Sequence, residues 1–279
     1  MGTCAGEYPP MRFVIWSWPS DRICGPARDA RVKAARADAE GSFFGWFLSQ
    51  LKPGTAVGLV GFSYGARVIS GGLQLLSGGT LNGHSLPELP PGEPLQIRAA
   101  YLAAAMDVAW LYPGGYHGQS LSQVVRLLIN YNECDPALKY FRFTDRCTRP
   151  SALGFLGINE SALGEAANRV EQVDVSQDVG RTHDELRYWN SSFVVPEVCR
   201  IILEWPIDQA LVPLSVSGPT EPTDVETQTQ SESSASDQIV EMKNLDLEAS
   251  NGEVTQDTST DEAGRRFQRS GRMLGRSRR

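Results

Sequence analysis

From residue 11 to about residue 205 the apolar positions come in short runs without helical period, separated by stretches that place them three and four apart. Residues 11–18, MRFVIWSW, are β-branched and aromatic and stop at Pro19, which predicts a buried strand. Residues 27–51 carry Phe43, Phe44, Phe47, Leu48 and Leu51 at one end and read as an amphipathic helix closed by Pro53-Gly54. Its aromatic end, with Trp16, Trp18 and Trp46, is expected in the core. Residues 56–60 form an apolar run suited to a strand buried on both faces, and residues 66–76 place Ala66, Ile69, Leu73 and Leu76 at helical spacing. Further strands are predicted at 95–105, within 124–131 after a short helix, and at 170–175. Strands alternating with helices imply an α/β fold, a doubly wound and mostly parallel sheet with helices on both faces.

Near residue 213 the pattern stops. Residues 213–279 are dominated by Ser, Thr, Glu, Asp and Gln, cannot bury enough apolar surface to offset their ordering entropy, and are expected to be disordered. Seven arginines between Arg265 and Arg279 reverse the sign of this acidic tail, which suits it to attract its own basic end or a protein partner. The expected organisation is a short extension over 1–10, an α/β domain over 11–212 and the tail over 213–279. A net charge of −7 argues against a general nucleic-acid binder. No apolar run reaches the roughly 20 residues of a membrane span. Residues 1–10 are neither basic nor apolar, so no secretory signal is read and the cytoplasm is the expected compartment. Cys4, Cys24, Cys134, Cys147 and Cys199 show no C-x-x-C spacing, which predicts neither a metal site nor a disulfide framework.

The chemistry concentrates where strands end. Between the strand at 56–60 and the helix at 66–76 lies Gly61-Phe62-Ser63-Tyr64-Gly65, a G-x-S-x-G turn. So tight a strand-to-helix turn strains its serine and exposes Oγ at the C-terminal edge of the sheet. The helix behind it brings free N–H groups and a positive dipole end, and the N–H of Tyr64 is one expected donor to an oxyanion. No Lys follows the glycines and no G-x-G-x-x-G is present, which sets aside a phosphate loop. Asp135 follows the strand RLLINYN and His183 follows the last strand. A serine hydroxyl needs a base, histidine titrates in the right range, and a carboxylate behind the imidazole fixes its tautomer. Asp107 also ends a strand and is the alternative acid. His84 and His117 lie in glycine-rich loops upstream of the expected base and are expected to be solvated.

Trp18-Pro19-Ser20, Gly61-Phe62-Ser63-Tyr64-Gly65-Ala66-Arg67, Asp135-Pro136-Ala137-Leu138 and Gly180-Arg181-Thr182-His183 together resemble an α/β hydrolase, in particular poorly characterised bacterial serine hydrolases of esterase or lipase type. The resemblance covers about residues 11–205. It implies Ser63 as nucleophile, His183 as base and Asp135 as acid, in the order Ser, Asp, His, with no cofactor and no metal. It also implies strands upstream of residue 11 and a loop there, often His-Gly, that gives the second oxyanion N–H. Residues 1–10 are too few for these, so the sheet is expected to be truncated on one side, through an incomplete gene model or a shortened relative. Truncation would bare a sheet edge suited to dimerisation. Two functions are expected from this reading. One is hydrolysis of a carboxylic ester or related small acyl substrate through an acyl-enzyme, with residues 77–94 and 109–119 over the pocket and Trp110, Leu111 and Tyr112 as its apolar lining. The other is a catalytically impaired hydrolase fold that serves as an interaction scaffold.

Overall fold

The computed structural model describes residues 11–88, 92–145 and 148–203. Its centre is a sheet of four parallel strands, β1 (Ala56–Phe62), β2 (Gln96–Leu102), β3 (Val124–Tyr131) and β4 (Val170–Asp174), in the order β1-β2-β3-β4. Side chains alternate across it, as the two-residue period of a strand requires. Ile97, Ala99, Tyr101, Leu127 and Ile129 face one core, shared with Leu73 and Leu76 of α2 (Tyr64–Leu76) and Phe44 and Leu48 of α1 (Pro26–Ser49). Ala100, Leu102 and Leu128 face the other, closed by Tyr188 of α6 (Glu185–Trp189) and by Val194, Val198 and Ile201 of α7 (Val194–Leu203). The near-continuous apolar runs in these strands follow from that double burial.

Helices thus cover both faces of a parallel sheet, as the alternation predicts. The strand order runs straight through without reversing. Much of the second face is covered by α6 and α7, chain that comes after β4.

α1 and α2 are fastened to each other by close backbone approach and by polar ties. Gly45 and Gly72 meet so closely that a Cβ on Gly72 would lie 3.0 Å from the Gly45 nitrogen. Arg67 forms a bidentate pair with the buried Asp38 at 2.6 and 2.7 Å, and its guanidinium lies 4.5 Å from the centre of the Trp110 ring. The Tyr64 hydroxyl donates to the Ala30 carbonyl at 2.9 Å. α1 therefore grips the first three turns of α2, the helix that follows the G-x-S-x-G turn.

Residues 11–18 are not a strand. They have no sheet partner among the described residues, and Phe13 and Ile15 are 86% and 78% exposed. Trp16 and Trp18 alone turn inward. The Trp16 ring meets Phe44 edge-on at 5.1 Å, and its indole N–H donates to Glu40 at 3.2 Å. The apolar run that predicts a strand is met here only by Trp16 and Trp18, which pack against the core that α1 helps to build. The outer edge of β1 is left without a strand among the described residues. The expected extension and tail, residues 1–10 and 213–279, lie outside the described residues.

Candidate active site

Ser63 sits at the junction of β1 and α2 with φ 54 and ψ −118, a conformation that costs a non-glycine residue about 1–3 kcal/mol. Three backbone bonds hold it there. Its N–H donates to Leu102 at the end of β2, and its carbonyl accepts from Ala105 and Ala66. Gly61 is required beside it, since a Cβ there would stand 2.6 Å from the Ala66 nitrogen. The turn can be this tight only with that glycine.

The Ser63 Oγ lies 2.9 Å from His183 Nε2, and His183 Nδ1 lies 2.6 Å from Asp135 Oδ2. A carboxylate only accepts, so Nδ1 carries the proton and Nε2 presents its lone pair to the serine hydroxyl. Asp135 is fully buried and caps α3 (Pro136–Lys139), its Oδ1 accepting from the N–H groups of Ala137 and Leu138 at 2.8 and 3.1 Å. One oxygen thus anchors the carboxylate and the other faces the imidazole. The His183 ring leans on Phe62 at a centroid distance of 5.1 Å. The Phe62 ring also meets the buried Tyr188, so the base rests on a packed aromatic floor.

The structure brings Ser63, Asp135 and His183 together and leaves Asp107 out. Asp107 accepts from the Ala109 N–H at 3.2 Å as the cap of a short turn over 108–111. The Tyr64 N–H opens α2 and has no intrahelical carbonyl to bond. At the end of β2, Ala103 (φ 48) to Ala105 run beside the serine, but the Ala105 N–H is engaged by the Ser63 carbonyl.

Two expectations for the loops are corrected. His117 is fully buried rather than solvated, because its loop folds back along α2. Its Nδ1 meets Ser70 Oγ at 2.9 Å, its ring packs against Trp110 and Tyr116, and burial together with the Arg67 charge pushes it down to about 3. Of the expected apolar lining, Leu111 is buried in the core, and Trp110 and Tyr112 are each engaged by a polar partner. Trp110 stacks on Arg67, and the Tyr112 hydroxyl accepts from Asn159. A cleft of 380 Å³ beside Leu111 also takes in Ser77, at the far end of α2 from Ser63. A smaller cleft of 170 Å³ lies between Leu138, Ala152 and Phe155, just beyond Asp135.

Among the described residues no group of three or more His, Cys, Asp or Glu side chains is placed to hold a metal ion. No helix there is long and apolar enough to cross a membrane. Sequence reasoning missed the ties between the two loops that carry Asp135 and His183. Asn132 donates from Nδ2 to the Gly180 carbonyl, and Ser176 Oγ accepts from the Glu133 N–H. An asparagine at a strand end is the one signal for them, since such a residue commonly bonds to nearby backbone. No family model matches the chain, and comparison with curated proteins and with solved structures gives no match.

Proposed function

We propose that the protein is a serine hydrolase that cleaves a carboxylic ester or related small acyl bond through an acyl-enzyme on Ser63. The observation that carries this reading is the hydrogen-bonded line from Ser63 Oγ through His183 to the buried Asp135, at 2.9 and 2.6 Å. Ser63 Oγ attacks the acyl carbon while His183 Nε2 takes its proton. The ester oxygen leaves as the alcohol, receiving that proton from Nε2, and the acyl group remains on Oγ. Water then adds to the acyl carbon, giving its proton to Nε2, and Oγ departs protonated with release of the acid. Asp135 holds the imidazole in the required tautomer and offsets the charge of the imidazolium. The Tyr64 N–H faces the oxyanion at the positive end of α2. The route calls for no metal and no organic cofactor.

Hydrolysis of p-nitrophenyl acetate and butyrate by the chain and by Ser63→Ala tests the reading. The substitution is expected to lower kcat by at least about 1000-fold with the fold intact. Equal rates in the two proteins would remove it. The outer edge of β1, unpaired among the described residues, favours a second reading, a hydrolase fold with impaired catalysis that presents this edge to a protein partner. A folded chain with no Ser63-dependent turnover would favour the scaffold.

A further inference from the structure

We infer that Asn132 is a positioning residue that holds the His183 loop against Asp135, an inference that rests on the hydrolase reading. Asn132 is the first residue after β3 and is completely buried. Every hydrogen-bonding group it has along the chain is engaged in joining three segments. Its backbone N–H donates to Gly154 at 2.8 Å, and its carbonyl accepts from the N–H of Asp135 at 3.1 Å. Its side-chain Oδ1 accepts from Cys134 at 2.9 Å, which shapes the turn leading to Asp135. Its Nδ2 reaches across to the Gly180 carbonyl at 2.8 Å, three residues before His183.

The last of these bonds is the one that matters for the base. β3 and β4 end side by side, and the chain beyond each is free to splay. Two ties close the start of the gap, Val175 N–H to Tyr131 carbonyl at 2.9 Å and Glu133 N–H to Ser176 Oγ at 2.9 Å. Both lie seven or more residues before His183 in the chain. Gly180, with φ 75, then turns the backbone sharply. Past that turn the His183 side chain is part-exposed and meets the rest of the protein through Phe62, Ser63 and Asp135. The Asn132 amide therefore fixes the pivot from which the imidazole hangs, and from the same residue it sets the turn that aims the carboxylate. A displacement of about 1 Å in such a geometry is enough to cost about 100-fold in rate.

Asn132→Ser separates the two duties, because a serine hydroxyl can still accept from Cys134 but is too short to reach Gly180. The expected result is a kcat on p-nitrophenyl butyrate lowered about 10- to 100-fold with KM changed less than about threefold. In the same variant the low-field proton resonance of the His183 Nδ1–H···Asp135 bond, assigned by its loss in Asp135→Ala, should shift or broaden. Ser176→Ala, which removes the neighbouring tie, should keep kcat within about threefold of the parent. If the serine variant does not fold, Asn132→Asp, of the same size and without the N–H for Gly180, is read in the same way. An Asn132 variant with parental kcat and an unmoved resonance would overturn the inference, as would an equal fall in kcat from Ser176→Ala. The resonance is read without turnover, so a chain that cleaves no ester still decides on the clamp. Absence of turnover in the parent would count against the hydrolase reading alone.

Discussion

Ser63, Asp135 and His183 each follow a parallel strand; Ser63 is held by bonds to its backbone, Asp135 by bonds to its carboxylate, and His183 by its ring contacts with Phe62, Ser63 and Asp135. This is why they were legible: a G-x-S-x-G turn, an aspartate before a proline and a histidine after the last strand keep local signatures that do not depend on the rest of the fold. His117 has no such signature, since nothing in Tyr116-His117-Gly118 says that its loop folds back onto Ser70 and Arg67. Its burial has a consequence for stability. Below about 6.5, the ordinary value for histidine, the unfolded chain takes up a proton that the folded chain refuses until about 3. His117 thus supports the fold fully above 6.5, and that support is lost as pH falls through the window between the two values, at up to about 1.4 kcal/mol per pH unit. Urea unfolding at pH 7 and pH 4.5 should show a larger drop for the parent than for His117→Gln. Equal drops would mean that the imidazole is not buried as described.

α1 and α2 were both legible from the spacing of Phe44, Leu48, Ile69 and Leu73, but the way they meet was not. Helical period locates an apolar face without saying which other face it packs on, so the approach of Gly45 to Gly72 and the pairing of Asp38 with Arg67 belong to tertiary structure. The same limit explains residues 11–18. Their β-branched and aromatic run suits a strand, but Trp16 answers to Phe44 and Phe47 of a helix rather than to a neighbouring strand. The buried Asp38–Arg67 pair should behave as such pairs do when halved. Arg67→Met leaves Asp38 uncompensated beneath Trp110 and is expected to cost about 3–5 kcal/mol in chemical unfolding. The double substitution Asp38→Leu with Arg67→Met should recover most of that loss, because the desolvation of both charges disappears together. A double variant as unstable as the single one would show that the pair is not what joins the helices.

At the scale of the whole molecule, the alternation of strand and helix led to a parallel sheet with helices on both faces. The order of the strands came only with the structure, because it depends on which crossovers turn which way. A bare sheet edge was expected, but beside a strand at 11–18, whereas among the described residues it is β1 that lacks an outer partner. That sheet does one thing for the proposed chemistry: it collects residues 63, 135 and 183 at its C-terminal edge, although they are separated by as many as 120 positions in the chain. The central claim is that this convergence activates Ser63. Reaction of the folded chain with a fluorophosphonate, with the adduct located by mass spectrometry, tests it most directly. A single adduct on Ser63, absent in Ser63→Ala and strongly slowed in His183→Ala, is the predicted result. A folded chain whose Ser63 stays unmodified, or reacts as fast without His183, would contradict it.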